Sequence, residues 1–352
     1  MEDTKKSNSL KTFLTIAISL AIAVLFMWWA LKGMEFEKIA GYFKRANYIW
    51  VLAAAVFGTA AYWFRAVRWN LLLEPMGYKI SNSNAFWTIS FGYLMNLTIP
   101  RSGELARSTA LFGVEKVPVE KSFGTIILER VVDLICMALF LGLTLVFKYE
   151  AILSFYKSVT AEKSKSSEPT SYQNLYLMAA TAVVLAVLFF IFKKKLERFP
   201  IYQKVVDFGK GIFHGLTSIF KLKQKGRFIL LSLAIWICYY LAAYLVCFAL
   251  PETSDLTFAD GFFIIVVGTL GMMIPASGGI GAFHLALKFG MVALFLSMGK
   301  SAEAGAEAGL AYAFISHTMQ LVLMLGFGMI SIPVLAKART AMANRKKEKV
   351  EA

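Results

Sequence analysis

Apolar residues in this chain fall in long unbroken blocks, not in alternation and not in narrow helical stripes. The blocks are "FLTIAISLAIAVLFMWWAL" (13–31), residues 48–73, "GTIILERVVDLICMALFLGLTLVF" (124–147), "LYLMAATAVVLAVLFFIF" (175–192), "FILLSLAIWICYYLAAYLVCFAL" (228–250) and about 309–333. Each comes near or exceeds the roughly 20 residues that cross about 30 Å of hydrocarbon, so the pattern predicts six membrane-spanning helices. The first block ends in the bulky "MWWALKG", with no small-residue cleavage site, and is read as a retained span, not a signal peptide.

Two further apolar runs stop short. Residues 85–99 give 15 residues, roughly 22 Å of helix, and then meet Pro100, Arg101, Ser102, Gly103, Glu104 and Arg107 in "NLTIPRSGELARS" (96–108). Residues 261–275 stop in the same way at "IPASGGIG" (274–281). Irregular backbone at membrane depth is tolerated only against protein or a wet cavity. Each break is therefore expected to be the tip of a re-entrant helical hairpin, with returning limbs at 104–113 and 279–298.

Charge fixes an expected topology. The segment 193–227 carries Lys193, Lys194, Lys195, Arg198, Lys204, Lys210, Lys221, Lys223, Lys225 and Arg227 against Glu197 and Asp207, and the tail 336–352 is also basic. Basic flanks stay cytoplasmic. This puts 1–10, 193–227 and the tail inside, in a cell (cytoplasmic or inner) membrane. The polar stretch 148–174, the acidic linker 251–260 and 299–308 go outside, and "EFEKIAGYFKRAN" (35–47) becomes an amphipathic helix on the outer surface. The expected fold is an all-α polytopic membrane protein, 11–335, with six spans and two hairpins. A first half (48–147) and a second half (228–333) flank the linking span 175–192 and its basic segment. Pro100 aligns with Pro275 and Gly103 with Gly278, and one hairpin opens inward, the other outward. That is the signature of an inverted-topology repeat, an architecture of many transporters.

Composition agrees with this reading and removes other classes. With 58% hydrophobic and 17% charged residues and a mean hydropathy of +0.62, the chain needs a bilayer as solvent. The net charge of +15 lies at span flanks, which points to anionic headgroups and away from nucleic acid. Cys136, Cys238 and Cys247 lie in apolar runs and read as small hydrophobes, and His214, His284 and His317 have no metal-ligand spacing. No cofactor or metal is expected. The tryptophans Trp28, Trp29, Trp50, Trp63, Trp69 and Trp87 fit an interfacial belt.

Charges inside apolar runs carry the chemistry. Arg101, Glu104 and Arg107 surround the first break, while Glu129 and Asp133 share a helix face at i, i+4 with Arg130 turned about 100° away. Each ionised group at a span centre costs about 2.5–3.5 kcal/mol, so these six must pair, lie shallow or line water. Their formal charges cancel, which makes a closed network of Arg101, Arg107 and Arg130 with Glu104, Glu129 and Asp133 the expectation. Such a network either pins hairpin to span or forms a headgroup site. In the latter case Ser277, Gly278, Gly279, Gly281 and His284 of the second break join Arg101, Gly103, Glu104, Arg107, Glu129, Arg130 and Asp133 as substrate-binding residues. Helix N-termini after "PRSG" and "PASGG" would then present N–H groups to a phosphate, although Glu104 competes for them. Lys288 shares a face with His284 and reads as a snorkelling lysine, and His317 as a hydrogen-bonded bundle residue.

In order along the chain, P-R-S-G-E-L-A-R (100–107), E-R-V-V-D (129–133) and P-A-S-G-G-I-G (275–281) resemble the lysylphosphatidylglycerol synthase transmembrane (flippase-like) family over roughly 10–335. The resemblance implies a membrane half of proteins that add amino acids to phosphatidylglycerol and move the product between leaflets. It implies roles for Pro100, Gly103, Glu104, Arg107, Glu129, Arg130, Asp133, Pro275, Gly278, Gly279 and Gly281. Where the family usually has a glutamate and an arginine, His284 and His317 stand here, so a charge role there becomes pH-dependent. About 15 residues follow the last span, too few for a synthase domain.

Three functions are consistent with these readings. The first is a non-enzymatic translocase for an anionic phospholipid or lipid-linked substrate. The second is a membrane enzyme acting on a lipid phosphate, with Glu129 and Asp133 as acid and base. The third is an accessory subunit of a lipid- or glycolipid-modifying enzyme, or a small-solute transporter. The expected partners are membrane lipids with anionic headgroups and a lipid-modifying enzyme.

Overall fold

The computed structural model describes residues 17–18, 21, 24–31, 36–161 and 200–351. The expected span 175–192, the charges at 193–199, the polar stretch 162–174, the N-terminal segment 1–10 and residues 13–16, 19–20 and 22–23 of the first span lie outside the described residues. What is described is helical, without a strand among the described residues. After a helical stretch at 24–31 come α1 (Phe36–Arg45), α2 (Tyr48–Leu73), α3 (Asn82–Thr98), α4 (Gly103–Glu115), α5 (Val119–Phe147), α6 (Tyr149–Ala161), α7 (Pro200–Leu216), α8 (Lys225–Cys247), α9 (Phe258–Met273), α10 (Ala282–Ser297) and α11 (Ala302–Glu351). The chain is an all-α polytopic membrane protein. Tyr48–Met76, Val119–Phe147, Lys225–Cys247, Ser277–Ser297 and Ala302–Met342 are each long and apolar enough to cross a bilayer.

The long helices α2 and α8 pack antiparallel. The Asn47 amide before α2 donates to Ala249 O just beyond α8 at 2.8 Å, and Arg68 near the end of α2 donates to Ser232 near the start of α8 at 3.2 Å. Each is followed by a hairpin of two short helices. In the first, α3 ends at Thr98 and α4 starts at Gly103. Its open end is closed by Glu115, which accepts from the Ser81 amide at 3.1 Å and from Asn84 Nδ2 at 2.7 Å. In the second, α9 and α10 flank the turn at Ser277–Gly279, and the Lys300–Asp255 ion pair, at 2.5 Å, closes the open end.

The hairpins approach from opposite ends of the bundle. Three residues (116–118) separate the open end of the first hairpin from α5, which runs 29 residues, roughly 43 Å. At its far end Lys148 meets Asp260, in the first turn of α9, at 2.7 Å. The two tips then touch, since Arg101 Nη2 donates to Met273 O at 2.8 Å, and a Cβ on Gly278 would meet Leu97 Cδ2 at 2.7 Å.

Close backbone contact explains the first glycine pair. A Cβ on Gly92 would lie 2.8 Å from Gly103 O, and one on Gly103 would collide with Gly92 O, so α3 and α4 meet without intervening side chains. At the second break Gly278 has φ 59°, a left-handed conformation that favours glycine.

Three element boundaries differ from the sequence reading. Residues 149–161, expected as outer linker, form α6, because Ala151, Ile152 and Phe155 pack in the core with Phe263. The last helix starts at Ala302, not near 309, and continues through Pro333 to Glu351. The second return limb is the 16-residue α10, roughly 24 Å long, although with its preceding turn it is long enough to cross.

Candidate functional site

The charged residues of the first hairpin gather where α2, α3, α4 and α5 converge. Arg107, on α4, makes a two-bond ion pair with Glu129 of α5, Nη1–Oε2 at 2.7 Å and Nη2–Oε1 at 3.3 Å. Its guanidinium also lies 3.6 Å from the centroid of the Trp69 ring, and Trp69 Nε1 donates to Thr125 Oγ1 at 2.8 Å. Glu129 is 1% exposed and Arg107 is buried. A pair this deep loses the hydration of both ions, which two parallel charge-assisted bonds and the ring face offset.

One turn further along α5, Asp133 is shared by two arginines of α2. Arg65 Nη2 pairs with its Oδ2, and Arg68 Nη2 with Oδ1 at 3.0 Å. Arg68 is fully buried and also holds Ser232 of α8, so this carboxylate ties α2, α5 and α8 together. Arg130, on the adjoining face, pairs with Glu104 at the start of α4. The i, i+4 spacing of Glu129 and Asp133 thus does what it predicts, placing two carboxylates on one inward face and turning Arg130 outward.

The closed network of six is not what forms. Among the described residues Arg101 reaches no carboxylate but donates to the Met273 carbonyl, from a left-handed backbone at φ 60°. Arg65 and Arg68 take up Asp133 instead. Four arginines (65, 68, 107, 130) face three carboxylates (104, 129, 133), so the cluster has one cation in excess. Arg65 and Arg68 lie toward the end of the apolar run 48–73, where a long basic side chain usually snorkels, and the sequence gives no sign of their partner. Their signal was that two arginines sat within an otherwise apolar run and carried the same insertion cost as the six considered.

A small cleft lies among these groups, lined by Arg65, Arg107, Arg130, Glu104, Glu129 and Asn96, with Tyr93, Gly92 and Gly103 beside them. Its free space is about 20 Å³, room for about one water. The Nε–H groups of Arg65 and Arg107 are buried without an acceptor among the described residues. The α4 N-terminus is partly occupied already, because the Gly103 amide donates to Asn96 Oδ1 at 2.7 Å.

The second break does not line this cleft. Ser277, Gly278 and Gly279 are buried at the tip of the other hairpin, and Gly281 caps the start of α10. Gly278 O lies 2.9 Å from His317 Nε2, and the His284 and His317 rings sit 5.0 Å apart, both buried, between Phe283 and Phe314. The Nδ1 atoms of both histidines have no partner. Lys288, expected to snorkel, donates to Ala30 O at 2.8 Å. Among the described residues no group of three or more potential metal ligands is found.

The model of the family described as "Lysylphosphatidylglycerol synthase TM region" matches residues 16–328. Among curated proteins, the chain is 26% identical over 331 residues to Glycosyltransferase AglD of Haloferax volcanii, covering 87% of this chain and 52% of that one. It is 26% identical over 172 residues to UPF0104 membrane protein MJ1595 of Methanocaldococcus jannaschii, 48% of each. UPF0104 membrane protein PH1989 of Pyrococcus horikoshii is 22% identical over 142 residues, 39% of this chain and 41% of its own. The chain thus spans about half or less of the length of each of these relatives. No solved structure matches.

Proposed function

The chain belongs to the lysylphosphatidylglycerol synthase TM region family, and on that premise we propose that it is a translocase for anionic phospholipids or lipid-linked substrates. The observation that carries the reading is the tip-to-tip meeting of two opposed hairpins beside a buried cleft with one cation in excess. In a bilayer such hairpins are re-entrant, and the order long helix, hairpin, long helix recurs in antiparallel sense as α2, α3/α4, α5 and α8, α9/α10, α11. This supports an inverted-topology repeat, in which rocking of one half against the other exposes a central site to each side in turn. The cleft in this conformation is too small for a headgroup, so the conformation is read as closed. Arg65, Arg107 and Arg130 receive the headgroup anion, with Asp133 holding Arg65, Glu129 holding Arg107 and Glu104 holding Arg130. Arg101, Gly103 and Glu104 form the tip, and Ser277, Gly278, Gly279, Gly281 and His284 shape the opposing tip it rests on.

Basic flanks support a cytoplasmic location for both termini, in a cell membrane. No residue is assigned a catalytic role. The test is transfer of a headgroup-labelled anionic phospholipid between leaflets of proteoliposomes, for wild type and for Arg107→Lys and Glu129→Gln. Wild-type transfer with a loss of about tenfold or more in both variants, each still monodisperse in detergent, supports the reading. Equal rates in all three overturn the site.

The likeness to a relative named as a glycosyltransferase favours a second reading, a membrane partner of a glycosyl-transferring enzyme. Stable copurification with such an enzyme at fixed stoichiometry, together with no leaflet transfer, would select it.

A further inference from the structure

The outward face of the cleft differs from its interior in a way that assigns a route. Along α5, no residue from Val119 to Glu129 is exposed. From Arg130 onward the helix is open, with Val131, Leu134, Ile135, Leu139, Leu143 and Phe147 exposed. This apolar band, 131–147, rises roughly 26 Å, close to the thickness of a bilayer core. Across the cleft, Leu105 of α4 is exposed as well. Arg130 sits at the margin of the band, its side chain 56% exposed, and its partner Glu104 is 23% exposed. The Glu104–Arg130 pair is therefore the outer wall of a cleft whose inner wall is Arg65, Arg107 and Glu129. Among the described residues no element covers it.

A soluble anion gains nothing from a doorway set at the margin of an apolar band. A membrane-embedded amphiphile does, since its chains remain against Val131, Leu134 and Leu105 while only its head moves inward. The chemistry inside selects the head. Three arginines and two carboxylates line the cleft, and the Nε–H groups of Arg65 and Arg107 are buried without an acceptor among the described residues, so an anion with several acceptor oxygens would complement this lining. A phosphate supplies these on one compact centre.

We propose that the cleft opens sideways to the bilayer through the Glu104–Arg130 pair, and that the phosphate of a membrane-embedded amphiphile enters by displacing Glu104 from Arg130. Arg130 is the docking residue at the margin, and Arg65 and Arg107 complete the coordination inside. The proposal rests on the cleft being a headgroup site, but not on the headgroup reaching the other leaflet.

The experiment uses the full chain in nanodiscs containing a phosphatidic acid probe with a photoreactive group on its acyl chain next to the glycerol. Labelled peptides are mapped with and without competitors. Adducts should fall on the segments around Leu105 and Val131–Ile135. They should be competed by unlabelled phosphatidic acid and not by inorganic phosphate or glycerol 3-phosphate. Arg130→Glu should reduce labelling about tenfold or more, and Arg130→Lys much less. Labelling unchanged in Arg130→Glu, adducts elsewhere, or equal competition by inorganic phosphate would overturn the portal. Portal labelling in a wild-type protein that does not move lipid between leaflets would confirm the portal and reject translocation.

Discussion

Arg107 and Glu129 face each other through two parallel bonds, 2.7 and 3.3 Å long, while the Trp69 ring covers the open side of the guanidinium. The pair joins the returning limb of the first hairpin to the following long helix. Both ions are buried, so neither can recover water when its partner is removed. Arg107→Ala or Glu129→Ala alone should lower stability by about 3–5 kcal/mol, and the apolar double variant Arg107→Leu/Glu129→Leu should cost less than either single change. Thermal unfolding in detergent of the three variants checks this, and a double variant worse than both singles would contradict it.

Asp133 and Glu104 both carry ion pairs, but their surroundings rank them. Asp133 pairs with both Arg65 and the fully buried Arg68, whereas the Glu104 pair is partly exposed. Asp133→Ala should cost several kcal/mol, against about 0–1 kcal/mol for Glu104→Ala. Similar melting temperatures for the two variants would refute the ranking.

The contact of Gly92 with Gly103 leaves no room for a methyl group. Gly103→Ala should force α3 and α4 apart and destabilise the protein by about 1–3 kcal/mol. The control is Gly113→Ala, where an added Cβ meets nothing within 4 Å and helix propensity favours alanine. Thermal shifts of opposite sign are the expected pair of results.

The opposed hairpins predict sidedness. Single cysteines at Lys116, beside the open end of the first hairpin, and at Lys300, beside that of the second, should react with a membrane-impermeant maleimide from opposite faces of oriented vesicles. Reaction from one common face would remove the opposed arrangement.

Much of the hairpin design was legible in the chain. A 15-residue apolar run that stops at a proline is too short to cross, and "PRSG" and "PASGG" each break a helix for reasons local to a few residues. The inward face of Glu129 and Asp133 followed from helical spacing in the same way. The partners of those carboxylates were not legible. Arg65 and Asp133 lie 68 residues apart, and no periodicity within α2 indicates which helix it packs against. The helix α6 was hidden for a different reason. The polar residues beyond 157 dominated the composition of its window, while the few apolar positions that fold it, Ala151, Ile152 and Phe155, acquire meaning only against α9 and α10.

The touching tips have an electrical consequence. On the proposed re-entrant arrangement, water following each hairpin inward would be stopped at the tips, where Arg101 holds the Met273 carbonyl and Leu97 packs against Gly278. A transmembrane voltage would then fall over a few ångströms instead of the whole bilayer. A unit charge carried across that short gap exchanges about 2.3 kcal/mol with a 100 mV potential. Under the proposed translocase reading, passage of an anionic head should therefore depend on voltage and run faster toward the positive side.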